Sequence, residues 1–538
     1  MAPGGGARPG VGGPGVTGRW SRETLLEQLR RGTAPSAKPW DVLIIGGGAT
    51  GLGAAVEAVR RGYRTVLLEA GDFAQGTSSR STKLIHGGLR YLRQGRLGLV
   101  REALTERARL LRTAPHVVRR RTFLVPFYHP WDRAMMTAGV GLYSVLAGEP
   151  RLPGTLDPAA AGAAASTLRG DGLRGGITYE DGQFDDARLA WVLAATAIES
   201  GALALNHCRV EGWVRRGRRV VGVVARDRES GDELEVPAWA VINATGVWCD
   251  TLRRMDNAAY RPLVRPSRGT HLVVDRSFLP GESAVLIPRT DDGRVLFAIP
   301  WAERVLLGTT DMAVDEADAE PVPSDEEVDY LLEHAARYLD PAPQRADVRA
   351  AFAGLRPLVG GGGATASLSR EHHIEVAPSG VVTVIGGKWT TYRSMAEQVV
   401  DRAVKASGLT WRPPAPEAPL YGCPESGGGD AAGSLYGSAA PEVDAIAAAD
   451  PSLDEPMHPR LPYRWAEVVH AARNEMARTV EDVLARRTRA LTLDAAAAAE
   501  CAGTAARLLA AELGRDEAWC QEQEAAFCEL AARYQVTK

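Results

Sequence analysis

Cysteine is scarce and poorly spaced for metal or disulfide chemistry. The six residues, Cys208, Cys249, Cys423, Cys501, Cys520 and Cys528, include no CxxC pair. That argues against a zinc ribbon, an iron–sulfur cluster or a disulfide framework, and it points to a reducing compartment. Positive charge is not in excess either. Lys plus Arg number 63 against 66 Asp plus Glu, a formal net charge of −3. Such a balance argues against nucleic acid as the main partner. There is no long apolar run. The most membrane-like stretch, AMMTAGVGLYSVLAG at 134–148, falls short of the ~20 residues a spanning helix needs. It is expected to be a buried helix, with a shallow membrane-surface contact as the competing reading. The first residues, MAPGGGARPGVGGPGVTG, lack an apolar h-region and make a poor signal peptide. Their Gly/Pro content predicts a disordered or weakly ordered extension over 1–38. No solenoid-type repeat is visible.

What is present starts at 41–53, DVLIIGGGATGLG. An apolar strand breaks into glycines and then into a helix-like stretch. Gly46, Gly48 and Gly51 give the spacing GxGxxG. The first glycine permits a sharp turn, the second close approach of a pyrophosphate, and the third tight helix–strand packing. The helix N-terminus offers free N–H groups and a positive dipole end to phosphate. A second strand, TVLLEA, ends in Glu69, whose carboxylate can accept ribose hydroxyls. A tight turn without a ligand would not explain Glu69. The combination predicts a dinucleotide site.

With 538 residues, the chain has room for two to four domains. Nucleotide-fold fragments recur. AVINAT, within 236–250, ends in a small turn at Thr245-Gly246. VVTVIGGKWTTYRSMAEQVVDRAVK at 381–405 again reads strand, Gly-Gly turn and amphipathic helix. One discontinuous nucleotide-binding domain over 39–115, 180–255 and 350–408 follows. Between its pieces, THLVVD, AVLIPR, RVLFAIP and RVLLGTTD read as antiparallel strands, and 324–340 as a capped amphipathic helix. These place a substrate domain at 116–179 and 256–349. Beyond the linker near 411–429, Ala-rich helical patterns predict a separate helical domain over 418–538. The expected fold is α/β: a doubly wound, Rossmann-like domain, an antiparallel-sheet domain and an α-helical C-terminal domain.

The stretch TSSRSTKLIHGGLRYL at 77–92 mixes hydroxyls, glycines, Lys83, His86, Arg90 and Tyr91. It resembles the flavin-adjacent motif of the FAD-dependent glycerol-3-phosphate dehydrogenases, within the glycine oxidase/D-amino-acid oxidase superfamily. NATGVW, GTTD at 308–311, GLRPL at 354–358, LSRE at 368–371, GGKWTTYR at 386–393 and the helical tail resemble that family in matching order, over roughly 40–530. The departures within motifs, Thr82, Trp389 and Arg268, remove no charged or glycine position on which the reading depends. The resemblance implies bound FAD, with Gly46, Gly48, Gly51, Glu69, Thr77, Ser78, Ser79, Lys83, Leu84, Gly87, Gly88, Thr245, Gly246, Gly387, Lys388 and Thr390 as its contacts. The N–H groups of Gly386 and Gly387 would lie near the flavin pyrimidine oxygen.

Oxidising a secondary alcohol needs hydride transfer and loss of a hydroxyl proton, and a phosphorylated substrate needs several cations. Arg90, Arg356, Arg370 and Lys388 lie in Gly-rich or turn contexts where side chains can converge. Arg90, Tyr91, Thr310, Arg370 and Lys388 are the expected substrate contacts. His86 is the first candidate for the base, since its ordinary pKa is near neutrality. The competing reading has it bonding the flavin ring or orienting Arg356. Arg356 could polarise the developing alkoxide. His271 reads as structural, and His372-His373 lacks the spacing of a metal site.

The expected activity is oxidation of sn-glycerol 3-phosphate to dihydroxyacetone phosphate. The resemblance implies electron transfer to membrane quinone and peripheral attachment to the inner, cytoplasmic face of the cell membrane; a homodimer is one compatible assembly. Three rival readings stand beside it: an oxidase using oxygen, a D-amino-acid or 2-hydroxy-acid oxidase, and a non-enzymatic flavin-binding scaffold.

Overall fold

The computed structural model describes residues 20–34, 36–88, 92, 95–148, 154–288, 290–291, 295–360, 372–424 and 434–537. The apolar run that precedes the glycines forms the strand Trp40–Ile45, with Val42, Leu43 and Ile44 fully buried. It pairs in parallel with Glu233–Asn243 on one side and Thr65–Leu68 on the other. Leu203–Leu205 and Val382–Ile385 extend the parallel set outward. Parallel strands are covered on both faces, so they read as continuous apolar runs. Here the helices Ala49–Arg60, Asp186–Glu199 and Tyr392–Ser407 pack as a layer, the first against both of the others. The full sheet has eight strands.

A second sheet has ten strands. Its order runs Met312–Ala313, Val264–Asp275, Arg304–Gly308, Leu296–Trp301, Ala284–Ile287, Val118–Pro126, Gly176–Phe184 and Leu84–Ile85. Val348–Val359 and Gly154–Leu156 pair off this path. The helix Asp325–Ala336 starts from a capping box between Ser324 and Glu327. The C-terminal helices Trp465–Asn474, Ala495–Leu513 and Glu517–Ala532 share with the sheet one buried core, which includes Phe123, Phe352, Leu484 and Leu509. Buried alanines such as Ala498, Ala502 and Ala506 let these helices approach closely.

Three expectations are corrected. The expected return to the nucleotide domain at 350 does not describe Val348–Val359, which pairs with Val264–Asp275 from Val359↔Val264 to Val348↔Val274. Leu84–Ile85 and residues 180–184 of the strand Gly176–Phe184, expected in the nucleotide domain, likewise lie in the ten-stranded sheet. Motif order marks which loop faces the cofactor, whereas backbone pairing decides which sheet a strand joins. The extension also contains a helix, Arg22–Gly32, capped by Ser21. It buries Leu25, Leu26 and Leu29, and Arg22 donates to the carbonyls of Asn206 and His207 while pairing with Asp227. Residues 1–19 fall outside the described residues. Finally, 134–148 is not a buried helix. Asp132–Leu146 lies on the surface, with Trp131 81%, Val145 68%, Met135 46% and Leu142 45% exposed. Its inner side keeps Val140 and Tyr143 buried.

Arg22→Ala leaves Asp227, 1% exposed, without its nearest cation. The expected cost is about 3–5 kcal/mol. Arg30→Ala, which removes an exposed pair with Asp232, should cost under about 1 kcal/mol. Thermal midpoints of the two variants check the difference.

Candidate functional site

The glycine turn cannot accept side chains. Gly46 has φ +109°, and a Cβ there would lie 2.7 Å from the Ala244 carbonyl oxygen. A Cβ on Gly51 would lie 1.9 Å from the oxygen of Gly46. Gly48 precedes the helix in extended conformation. Glu69, at the end of the next strand, accepts the N–H groups of Gly47 at 2.6 Å and Gly71 at 2.8 Å. Burial raises its pKa, and these two N–H groups oppose that rise.

Loop 76–81 joins this turn to everything around it. Ser78 Oγ accepts the N–H of Ala49 in the first helical turn (3.0 Å). The Ser78 carbonyl accepts Trp389 Nε1 at 2.8 Å. Thr77 donates to the Leu355 carbonyl in the second sheet. Lys83 is fully buried and donates to Asp186 (2.6 Å) and to the Ser79 carbonyl (2.8 Å). Burial lowers its pKa to about 8 against the pull of Asp186. Its ammonium is thus engaged within the protein, and its expected role as a cofactor contact is replaced by one of holding the loop. Leu84 is buried and pairs with Gln183.

The turn containing His86 is held from two sides. His86 donates its N–H to Thr390 Oγ1 (3.3 Å), which ties the HGG turn to the GGKWTT segment. Gly87 donates its N–H to Tyr143 Oη at 2.8 Å, and Tyr143 donates to Asp181 at 2.7 Å. Burial raises the Asp181 carboxyl to about 6. Gly88, Gly386 and Gly387 have φ of +77°, +79° and +82°, a region that favours glycine. A Cβ on Gly387 would lie 2.2 Å from Met395 Sδ. Lys388 and Thr390 follow directly, and Thr245 and Gly246 form the turn after Asn243, where Thr245 donates to Asn243 Oδ1.

From the second sheet, Arg356 donates to Thr309 Oγ1 (3.0 Å) and faces Asp311 Oδ1 at 3.5 Å. Its guanidinium lies over Gly269, where a Cβ would come within 2.3 Å of it. Thr310 differs from its expected role as a substrate donor. It is buried, accepts the N–H of Thr270 and donates to Glu327 at 2.6 Å. The neighbouring Thr309 is the hydroxyl that meets Arg356. His271 stacks on Phe352 and meets Thr82 Oγ1 at 2.9 Å. Burial, then the charges of Arg356 and Lys83, hold it neutral, far below the usual imidazole range. Arg90, Tyr91 and Arg370 lie outside the described residues. Sequence reasoning did not single out Asp186, Thr309, Asp311, Tyr143 or Arg489. Only Thr309 and Asp311 sat in a recognised motif. The others reach the site through pairings with no local signal.

The set fits FAD: a turn closed to Cβ atoms, a helix N-terminus, an acidic strand end and a second glycine turn. Asp72, His207 and Asp482, whose ligand atoms lie within 4.8 Å of one another, have guanidinium counter-ions in Arg486 and Arg487.

This architecture defines an FAD-dependent oxidoreductase. Residues 41–402 match the family described as FAD dependent oxidoreductase, and 429–520 match the C-terminal domain of alpha-glycerophosphate oxidase. The mitochondrial glycerol-3-phosphate dehydrogenase of Bos taurus is 37% identical over 94% of this chain and 74% of that protein. The enzyme of the same description from Homo sapiens shows the same values. The structure of the glycerol-3-phosphate dehydrogenase from Bacillus halodurans complexed with FAD superposes with a TM-score of 0.77 at 29% identity, covering 95% of this chain and 97% of that one. The chain belongs to the family of FAD-dependent glycerol-3-phosphate dehydrogenases.

Because His271 stays neutral when folded, its unfolded form gains a proton first as pH falls. Stability is therefore lost below about pH 6.5, by up to ~1.4 kcal/mol per pH unit from this residue. His271→Gln should show a shallower fall of thermal midpoint between pH 7 and pH 5 than the wild type.

Proposed function

We propose that the protein oxidises sn-glycerol 3-phosphate to dihydroxyacetone phosphate and passes the electrons to a membrane quinone. The observation that carries this reading is the junction of His86 with Thr390, next to Lys388, in a loop that Thr77 ties to the strand carrying Arg356. Bound FAD supplies the hydride acceptor and the route for electrons out of the site. His86 takes the hydroxyl proton as general base. Arg356, oriented by Thr309 and Asp311, stabilises the negative charge that develops on the alcohol oxygen. Lys388, with Arg90, Tyr91 and Arg370, holds the phosphate. Lys83 and Thr310 support the loop and the sheet beneath. A second reading, an oxidase that delivers electrons to oxygen, draws on the match of 429–520 to a domain named for alpha-glycerophosphate oxidase.

The deciding experiment is anaerobic mixing of the yellow protein with glycerol 3-phosphate while flavin absorbance is followed. Bleaching supports the dehydrogenation; a colourless protein or an unbleached flavin would sink it. Re-oxidation by a quinone analogue much faster than by air supports the quinone over oxygen, and the reverse selects the oxidase. His86→Gln should slow bleaching by ~10²–10⁴ and Arg356→Ala by ~10²–10³, both with FAD retained. Bleaching of His86→Gln at the wild-type rate removes His86 as base.

We further propose that the outer side of Asp132–Leu146 docks on the membrane that holds the quinone. Among the described residues no helix is long and apolar enough to cross a membrane. This one instead presents Trp131, Met135, Leu142 and Val145 outward, the pattern of a helix that lies in the interface. Leu97, on the adjoining helix Leu97–Thr113, is also exposed. Trp131→Ser combined with Val145→Asp should cut co-flotation with lipid vesicles severalfold while leaving bleaching by substrate unchanged. Equal flotation of variant and wild type would overturn the assignment.

A further inference from the structure

The cofactor loop is held from a distance by the C-terminal domain. Arg489 stands just after the wide helical turn Asp482–Arg487. Its guanidinium reaches loop 76–81, donating from Nη2 to the Ser79 carbonyl at 2.7 Å. Lys83 Nζ donates to the same carbonyl at 2.8 Å, so both lone pairs of that oxygen face cations. Both cations pair with Asp186, and Arg489 Nε also lies 3.8 Å from Asp185 Oδ2. Lys83 Nζ lies 2.6 Å from Asp186 Oδ2, and Arg489 Nη2 lies 3.3 Å from Asp186 Oδ1. Asp186 Oδ2 also accepts the N–H and hydroxyl of Ser81. All three charged groups are buried, and the Trp301 ring lies 5.4 Å from Lys83 Nζ and 5.7 Å from the Arg489 guanidinium carbon.

Two features set Arg489 apart from an ordinary interdomain pair. Its backbone lies at φ +81°, a left-handed conformation unfavourable to residues with side chains. Such a conformation persists where the surroundings hold it. Asp186 also does not need a second cation for neutrality, since Lys83 already pairs with it. Beside its pairing with Asp185 and its bond to the Ala485 carbonyl, the guanidinium fixes the Ser79 carbonyl. The next residue back, Ser78, holds the N–H of Ala49 through its hydroxyl and the indole of Trp389 through its carbonyl. A shift at Ser79 therefore reaches the helix turn and the GGKW segment together.

We propose that Arg489 is a positioning residue for the flavin, through which docking of the C-terminal domain sets how tightly FAD is held. The inference rests on the reading of loop 76–81 as a cofactor loop. The test uses the holoenzyme with Arg489→Met, Arg489→Lys and, as control on the same domain, Arg473→Ala, which removes an exposed pair with Glu512. Two quantities are read: the rate of FAD release after dilution, by flavin fluorescence, and the gap between thermal midpoints of holo and apo protein. Arg489→Met is expected to release FAD at least tenfold faster, the scale of one charge-assisted hydrogen bond. Arg489→Lys should release it at an intermediate rate, with a narrowed gap for both variants and neither quantity changed in Arg473→Ala. If Arg489→Met does not fold, Arg489→Lys carries the test. Wild-type release rates in the Arg489 variants, or holo and apo midpoints that fall together with the gap preserved, overturn the proposal. A wild-type protein that purifies without flavin overturns the cofactor reading itself, which separates the two failures.

Discussion

Asp186 is the carboxylate on which the arrangement turns. It begins the helix Asp186–Glu199, which packs beside the parallel sheet, and it pairs with two buried cations, one of which Asp185 also faces. A buried carboxylate with so many donors stays charged; the ammonium, the guanidinium and the Ser81 hydroxyl hold its pKa below the usual range despite burial. Removing one partner would leave an uncompensated charge in the core, which is why such clusters are far more sensitive to truncation than to their own formation. Through this one group, the nucleotide domain, the loop after Glu69 and the C-terminal helices share a single electrostatic centre.

The same loop explains how two sheets make one site. The chain leaves the parallel strands at Leu68, folds into loop 76–81, and enters the ten-stranded sheet at Leu84–Ile85 before reaching His86. Thr77 bonds to the strand that carries Arg356, and His86 bonds to the segment that carries Lys388. The strands and turns carrying the proposed base, the proposed alkoxide-stabilising cation and the proposed phosphate cation Lys388 are thus tied to the stretch 77–86 by side-chain-to-backbone hydrogen bonds.

Much of this was legible in the sequence because it depends on local pattern. The glycine spacing, the apolar run ahead of it and Glu69 predict a turn whose atoms leave no room for Cβ groups. Alternation in THLVVD and RVLFAIP predicts strands, and the Ser324–Glu327 spacing predicts a helix start. Where the reading failed, a long-range partner decided the outcome. Val348–Val359 carries a flavin-family motif but hydrogen-bonds to Val264–Asp275. The Gly/Pro-rich beginning hides a helix whose stability comes from Arg22 meeting Asp227 some two hundred positions later. The motifs around Lys83 and Thr310 predict ligand contacts for both, whereas burial turns both side chains inward, to Asp186 and Glu327. The helix at 132–146 has apolar composition but exposes it, and composition alone does not say which side of a helix meets protein.

The link between Tyr143 and Gly87 gives that helix a second meaning. Its outer side chains stand in solvent, while one turn inward a phenol grips the N–H beside His86 and passes its own proton bond to Asp181 and on to Arg107. A molecule settled against Trp131 and Val145 would rest on the helix whose Tyr143 hydroxyl accepts the Gly87 N–H, one residue from the proposed base His86.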